Sequence, residues 1–198
     1  HPYSNPNSFR SSFNTDVARA SRFDVSIPIP LALRNTKVDT RQLSFRCDKA
    51  EMPGRTFDTA EKRMGSAPIE KFPYHTKYGD VTLDFIVSDD MKEKIFFDSW
   101  MDLINPTTDY NFQYKTNYAV DVSINQYDVT NKLTYTATLI EAYPTNINEM
   151  SLDWNTDGYH KIAITFVYKQ WIGSYQDSIR QNIINAGLTG LLNDLTRS

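Results

Sequence analysis

The run EAYPTNINEMSLDWNTDGYHKIAITFVYKQW, residues 141–171, constrains the fold more than any other stretch of this chain. It joins two β-signals through a Pro-containing turn, Tyr143-Pro144-Thr145-Asn146, and ends on an alternating strand that closes at Trp171. Successive side chains of a pleated strand point to opposite sides, so Ile162, Ile164, Phe166 and Tyr168 share one face and Ala163, Thr165, Val167 and Lys169 the other. Both faces carry apolar groups, the pattern of a central or doubly covered strand.

The same period of two recurs along the chain. FDVSI sets Phe23, Val25 and Ile27 against Asp24 and Ser26 and is stopped by Pro28 and Pro30. QLSFRCDKA repeats it with Leu43, Phe45 and Cys47 before the break at Met52-Pro53-Gly54, and DVTLDFIV repeats it with Val81, Leu83, Phe85 and Val87. NYAVDVSINQYD and NKLTYTATLIEAY read as a hairpin turning near residues 128–131. One face of that hairpin is apolar, with Tyr118, Val120, Val122 and Ile124 on one strand and Leu133, Tyr135, Ala137 and Leu139 on the other. The other is small and polar, with Asp121, Ser123, Asn125, Thr134, Thr136 and Thr138. These patterns predict a mainly β fold, an antiparallel sandwich or barrel-like domain over residues 18–173.

One helix flanks it. Asp90 and Glu93 have capping-box spacing, and Ile95, Phe96, Trp100, Met101 and Ile104 recur at helical intervals until Asn105-Pro106, which predicts a helix over 91–105. Residues 55–80 are long, polar and aperiodic, with Phe72, Tyr74 and Tyr78 scattered among Gly and Pro, and read as an extended hairpin or a protruding loop. A loop of that length in a compact domain is usually functional or disordered. Its aromatics favour packing on another subunit, with Met52-Pro53-Gly54 as the base of this intersubunit element. Residues 1–17, rich in Ser, Asn and Pro, read as an extended arm. Residues 174–198 read as an amphipathic helical extension, helical to about Ala186, whose apolar stripe needs a cover.

Composition narrows the function. Lys and Arg number 21 against 24 Asp and Glu, a formal net charge of −3, which disfavours tight nucleic-acid binding. No apolar run approaches the ~20 residues that span a bilayer, and the N-terminus lacks a signal-peptide core, so no membrane anchoring is expected. His1 in place of Met is what trimming or processing would leave. Cys47 is the lone cysteine, which suits a small buried hydrophobe in a reducing compartment better than a nucleophile.

Candidate chemistry is sparse. His1, His75 and His160 lack metal-ligand spacing, and Asp89-Asp90 ahead of a helix are most simply cap and dipole groups. Asp153, Asn155 and Asp157 match a calcium loop only loosely, and a polar turn explains them better. KFPYHTKY, residues 71–78, interleaves aromatics with lysines as a single-strand stacking platform would, yet the overall acidity favours a loop that staples onto a neighbour. There is no GxSxG, Walker A or GxGxxG, and no supported pair of carboxylates. The expectation is no catalysis, no metal and no cofactor.

The linear order of these segments is more specific than any one of them. FDVSI, FRCDKAEMPGR, the EKIFFDSWMDLIN helix, AYPTN, MSLDW and ITFVYKQW together resemble the tail tube proteins of contractile-tailed bacteriophages of the T-even type, over residues 18–172. The most specific parts are Tyr143-Pro144-Thr145-Asn146, Leu152-Asp153-Trp154 and the Phe97-Asp98-x-Trp100 helix segment, and Trp171 closes the motif as a further fold residue. The resemblance implies hexameric rings stacked into a DNA-conducting tube, whose inner strands join into a continuous barrel. It implies as partners other copies of the chain, a tail sheath, baseplate and tape-measure proteins, and double-stranded DNA as transient cargo. The place would be a virion tail, assembled in the bacterial host cytoplasm. A baseplate tube initiator or cap, and the tube of a bacterial contractile injection system, share the architecture and stay open as alternatives. Ring formation would also pair the exposed sheet edges. On this reading Asp121, Ser123, Asn125, Thr134, Thr136 and Thr138 line a hydrated lumen that repels DNA weakly; the opposing assignment places them on a subunit's outer surface.

Overall fold

A computed structural model of the protein describes residues 19–34, 43–44, 46–63, 65, 68–106, 113–148 and 158–175. The N-terminal arm, nearly all of the C-terminal extension, the Leu152-Asp153-Trp154 motif and the Asp153–Asp157 turn lie outside the described residues.

The fold is mainly antiparallel β. In chain order the strands are β1 (Phe23–Ser26), β2 (Cys47–Ala50), β3 (Arg55–Lys62), β4 (Glu70–Tyr78), β5 (Val81–Ile86), β6 (Val120–Tyr127), β7 (Leu133–Ile147), β8 (Lys161–Val167) and β9 (Gln170–Gly173). A seven-stranded sheet runs β1-β6-β7-β8-β5-β2, with β9 paired to β7. Its spine is β7, the longest strand. The N-terminal half of β7 pairs with β6 and β9, and the part from Tyr143 to Ile147 pairs with β8. The sheet thus has two limbs, β1-β6-β7-β9 and β7-β8-β5-β2, that share one strand.

The apolar faces of both limbs meet in one core. Val25, Val122, Ile124 and Leu139 come from the first limb, and Leu83, Phe85, Ile162, Ile164 and Phe166 from the second, all essentially without solvent exposure. Alternation alone produces this, because a register slip of one residue would turn every one of these side chains outward. The helix α1 (Lys92–Ile104) closes the core with Phe96, Phe97 and Trp100. The Phe97 ring stacks on Trp100 at 6.4 Å, and Phe166 meets Trp100 edge-on at 5.9 Å. The Trp100 Nε1–H donates to the Tyr118 carbonyl at 2.8 Å, which ties α1 to a short helix, α2 (Lys115–Tyr118).

Several local expectations change. Tyr143–Asn146 is strand, not turn: it lies within β7, where Pro144 sits beside a bulge opposite β8 and on the outermost strand of its limb. An edge and a bulge are where a sheet tolerates a residue with no N–H to give. The stretch from Leu43 does not run as one strand; Leu43 is buried from a helical turn and β2 begins only at Cys47. The Asp90 carboxylate accepts the Lys92 N–H at the first residue of α1 but is not the capping-box partner of Glu93. Ser88 takes that place from outside the helix, its N–H and hydroxyl both donating to Glu93 Oε2 at 2.8 and 2.7 Å, while Asp90 pairs with Lys92 and Ser88. For residues 55–80, expected as an extended hairpin or a protruding loop, the described residues bear out the hairpin. They form a separate two-stranded hairpin, β3-β4, whose turn carries Gly65 at φ 62°, a left-handed backbone that suits glycine.

Candidate functional site

The polar residues singled out on β6 and β7 lie across from one another. Ser123 pairs with Thr138 and Asn125 with Thr136, with hydroxyl contacts of 3.2 Å between the first two and 2.9 Å from Thr136 Oγ1 to Asn125 Oδ1. Thr134 donates to the Gln126 carbonyl at 3.0 Å. Directly opposite residues of an antiparallel pair share a face, so these groups form one surface on the side of the limb away from the core. Asp121 and Thr134 are exposed on it, and Ser123, Asn125, Thr136 and Thr138 half-buried.

Asp24 of β1 extends the surface, although sequence reasoning used it only as the polar half of an alternation. Its Oδ1 accepts from Asn125 Nδ2 at 2.7 Å and its Oδ2 from the Tyr127 hydroxyl at 3.0 Å. Burial and this bond to Asp24 raise the Tyr127 hydroxyl above its ordinary pKa, so it stays a donor at neutral pH. The result is a hydroxyl- and amide-rich wall whose groups largely satisfy one another and which carries two carboxylates, Asp24 and Asp121.

Asp121 has a second task. Glu141 stands at φ 53°, a left-handed conformation rare for a residue with a side chain, at the point where β7 passes from one limb to the other. Its backbone N–H donates to Asp121 Oδ1 at 2.9 Å. Its carboxylate pairs with Lys115 at 2.7 Å and Lys169 at 3.9 Å, and the Lys115 bond leads in holding it below the usual range. Neither Asp121 nor Glu141 carries a signal in the sequence for this corner, because nothing in β-periodicity marks a left-handed residue inside a strand.

The β3-β4 hairpin is the second candidate surface. Arg55 pairs with Tyr78 at its root and Lys62 with Glu70 near its tip. Apart from Asp58, Thr76 and Tyr78, every residue of both strands is exposed. Phe57, Phe72 and Tyr74 stand 55, 49 and 69% exposed, and nearby Ile69 and Met52 57 and 45%. Tyr78 departs from this group: it is half-buried and packs at 6.3 Å from Tyr168, so it belongs to the root. At that root Trp171 Nε1–H donates to the Gly54 carbonyl at 3.1 Å, and the Arg55 guanidinium lies 4.8 Å from the Trp171 ring and 5.8 Å from Tyr78. Tyr168 donates to the Gly79 carbonyl at 2.6 Å. Met52-Pro53-Gly54 therefore enters the hairpin through a joint that Trp171 helps to hold.

The remaining chemistry is structural. Burial, with Asp84 next, pushes the Cys47 thiol up to about 12, which keeps it from acting as a thiolate. Burial alone would raise Glu93, but the Ser88 bonds and Arg46 at 3.1 Å outweigh it and hold the carboxyl below its ordinary value. Among the described residues no cluster of His, Cys, Asp and Glu could hold a metal, and no helix is long and apolar enough to cross a membrane. Of the fold residues, Trp100 and Pro144 are buried, Tyr143 packs edge-on against Tyr118 at 5.3 Å, Asn146 is exposed and Trp171 half-buried.

The fold has known counterparts. A baseplate chain of the anti-feeding prophage aligns with a TM-score of 0.57 at 17% identity, covering 80% of this chain and 96% of that one. The sheath-tube complex of an extracellular contractile injection system, PVC, gives 0.57 at 19% identity over 86% and 99%. The anti-feeding prophage tube-terminating cap gives 0.57 at 17% over 81% and 92%. At such identities the likeness is one of fold. Comparison with curated proteins gives no match. The profile of the family described as "Phage tail tube protein" matches residues 18–174. That span holds both limbs of the sheet, the hairpin and α1, and the chain belongs to this tail tube family.

Proposed function

We propose that this protein is the tube subunit of a contractile tail, forming hexameric rings that stack into a conduit for double-stranded DNA. The observation that carries the reading is the β3-β4 hairpin. An isolated two-stranded hairpin is marginal in water, and this one holds Phe57, Phe72 and Tyr74 away from any core of its own subunit. A neighbouring copy would cover them. Short open edges at β1 and β9 would pair between copies and bring the limbs β1-β6-β7-β9 into a continuous wall. The face of Asp24, Asp121, Ser123, Asn125, Thr134, Thr136 and Thr138 would then line the lumen. Its carboxylates and neutral hydroxyls suit a conduit, because DNA is held where phosphates are neutralised by Lys and Arg. A sheath outside the tube, and baseplate and tape-measure proteins at its ends, complete the partners, in a virion tail built in the host cytoplasm.

A second reading is a baseplate initiator or a cap of the tube. It stays open because chains from a baseplate, a terminating cap and a sheath-tube complex share the fold to the same TM-score. Negative-stain microscopy of the purified protein separates the two. Long hollow polymers are expected of a tube subunit, rings that do not stack support the initiator, and a protein that stays monomeric at high concentration overturns both.

A further inference from the structure

Both exits of the β3-β4 hairpin carry a glycine, Gly54 before β3 and Gly79 after β4. Neither is required by the conformation described. A Cβ built on either meets no atom within 4 Å, and neither lies at positive φ. Glycine weakens a folded chain through its conformational freedom, and here that freedom goes unused. The groups around the exits do the opposite of loosening them. Trp171 binds the Gly54 carbonyl, Tyr168 binds the Gly79 carbonyl, and Arg55 lies against the rings of Trp171 and Tyr78. Beyond this root, only Asp58 and Thr76 among the described residues of β3 and β4 are not exposed, and Asp58 pairs with Lys77 of the hairpin itself at 2.7 Å.

We infer that Gly54 and Gly79 form a two-point hinge, and that Arg55, Tyr78, Tyr168 and Trp171 form a latch holding the free subunit's hairpin in one orientation until a neighbouring copy draws it away. Hinges are a few positions at element ends that absorb a change in φ and ψ while the elements stay rigid. The ladder from Arg55↔Tyr78 to Lys62↔Glu70, with one bulge between Asp58 and Thr59, is such a unit, continuous with the domain through these exits and resting on it at the Arg55–Tyr78 rung. The latch suits release. Its members are two carbonyl hydrogen bonds, a cation lying on aromatic rings and the Tyr78–Tyr168 ring contact at the core's margin, each individually weak. The inference rests on the assembly reading above, since a neighbouring copy supplies the force that opens the latch.

The test compares wild type with a Gly54→Ala/Gly79→Ala double variant and with Arg55→Gln. Ladder and core are untouched, so the double variant is expected to keep or raise the thermal midpoint, through fewer unfolded conformers. Its assembly lag by light scattering is expected to lengthen, about tenfold for each position whose path crosses the left-handed region. Arg55→Gln should shorten the lag and speed limited proteolysis at the root. A double variant with an unchanged midpoint and a wild-type lag overturns the hinge, and an Arg55→Gln protein unchanged in both readouts overturns the latch. If the double variant loses its midpoint, the single glycine variants carry the same comparison. Wild type that forms neither rings nor tubes defeats the assembly reading instead. The hinge is then read in the free subunit from electron–electron distances between spin labels at Glu61→Cys and Lys132→Cys, in a Cys47→Ser background. Two distance populations in wild type that collapse to one with both alanines sustain it, and a single population in both overturns it.

Discussion

Asp121 serves two roles that different substitutions separate. As an acceptor it holds the Glu141 N–H at a left-handed corner, and as a charge it stands on the polar wall. Asp121→Asn keeps an Oδ1 acceptor and removes the charge, so stability should hold and any change in DNA ejection reports on the wall alone. Asp121→Lys removes both; its thermal midpoint should also fall, by the equivalent of about 0.5–1.5 kcal/mol for the lost bond. Ejection rates that match wild type in both variants would take Asp121 out of the lumen. Glu93 offers a cleaner pH reading. Its folded pKa lies below the ordinary 4.5, so its contribution is complete above that value and is lost as pH falls through the lowered folded value. Denaturant midpoints measured from neutral to acid pH should fall less steeply below pH 4.5 in Glu93→Gln. That variant starts from a lower neutral-pH plateau, because the Arg46 pair is gone. At Trp100, substitution by Phe leaves the Tyr118 carbonyl without its partner and trims a fully buried ring. A loss of about 1–3 kcal/mol in chemical denaturation is expected.

At the scale of elements, the hairpin and β7 decide how far a sequence reader can go. Strands with one buried face were legible, because burial imposes a period of two on β1, β5, β6 and β8. α1 was legible for the corresponding reason at helical period, through Phe96 and Trp100, although Ile95, counted in that stripe, is 56% exposed and Phe97, left out of it, is fully buried. The β3-β4 ladder was only half legible: with no core behind it, neither face selects apolar residues, and Pro73 and the bulge between Asp58 and Thr59 blur the rest. Pro144 misled for a different reason. A proline reads as a turn in sequence, but its missing N–H is tolerated at an outer strand beside a bulge. The polar wall was legible as a face, but Asp24 joined it only once β1 was seen beside β6, a pairing across a separation of about a hundred residues. Deleting residues 56–77, which keeps the Arg55 and Tyr78 root, should lower the far-ultraviolet β-signal only by the two strands removed, leave the thermal transition of the main sheet near wild type and abolish polymerisation. Tubes formed by that deletion would remove the hairpin from the assembly contact.

For the whole molecule, the described sheet has four-residue strands at its open margins β1, β2 and β9, and its remaining margin is the Tyr143–Ile147 end of β7, interrupted by Pro144 and a bulge. Edges this short pair weakly one at a time and limit runaway aggregation, while a closed ring would engage them in concert. Assembly should therefore be steeply dependent on concentration, and sedimentation velocity should show subunit and ring with little between them. A ladder of populated dimers and trimers would contradict that cooperativity. The passage of β7 through both limbs bears on what such a ring withstands. In a sandwich of separate sheets, sliding one layer over the other resists only through side-chain contact. Here the same displacement pulls lengthwise on a continuous peptide at Glu141 and Ala142, and must rupture laddered hydrogen bonds on both sides of the corner together. A wall made of such units is stiff against shear along its surface, the load a conduit bears when the casing around it shortens.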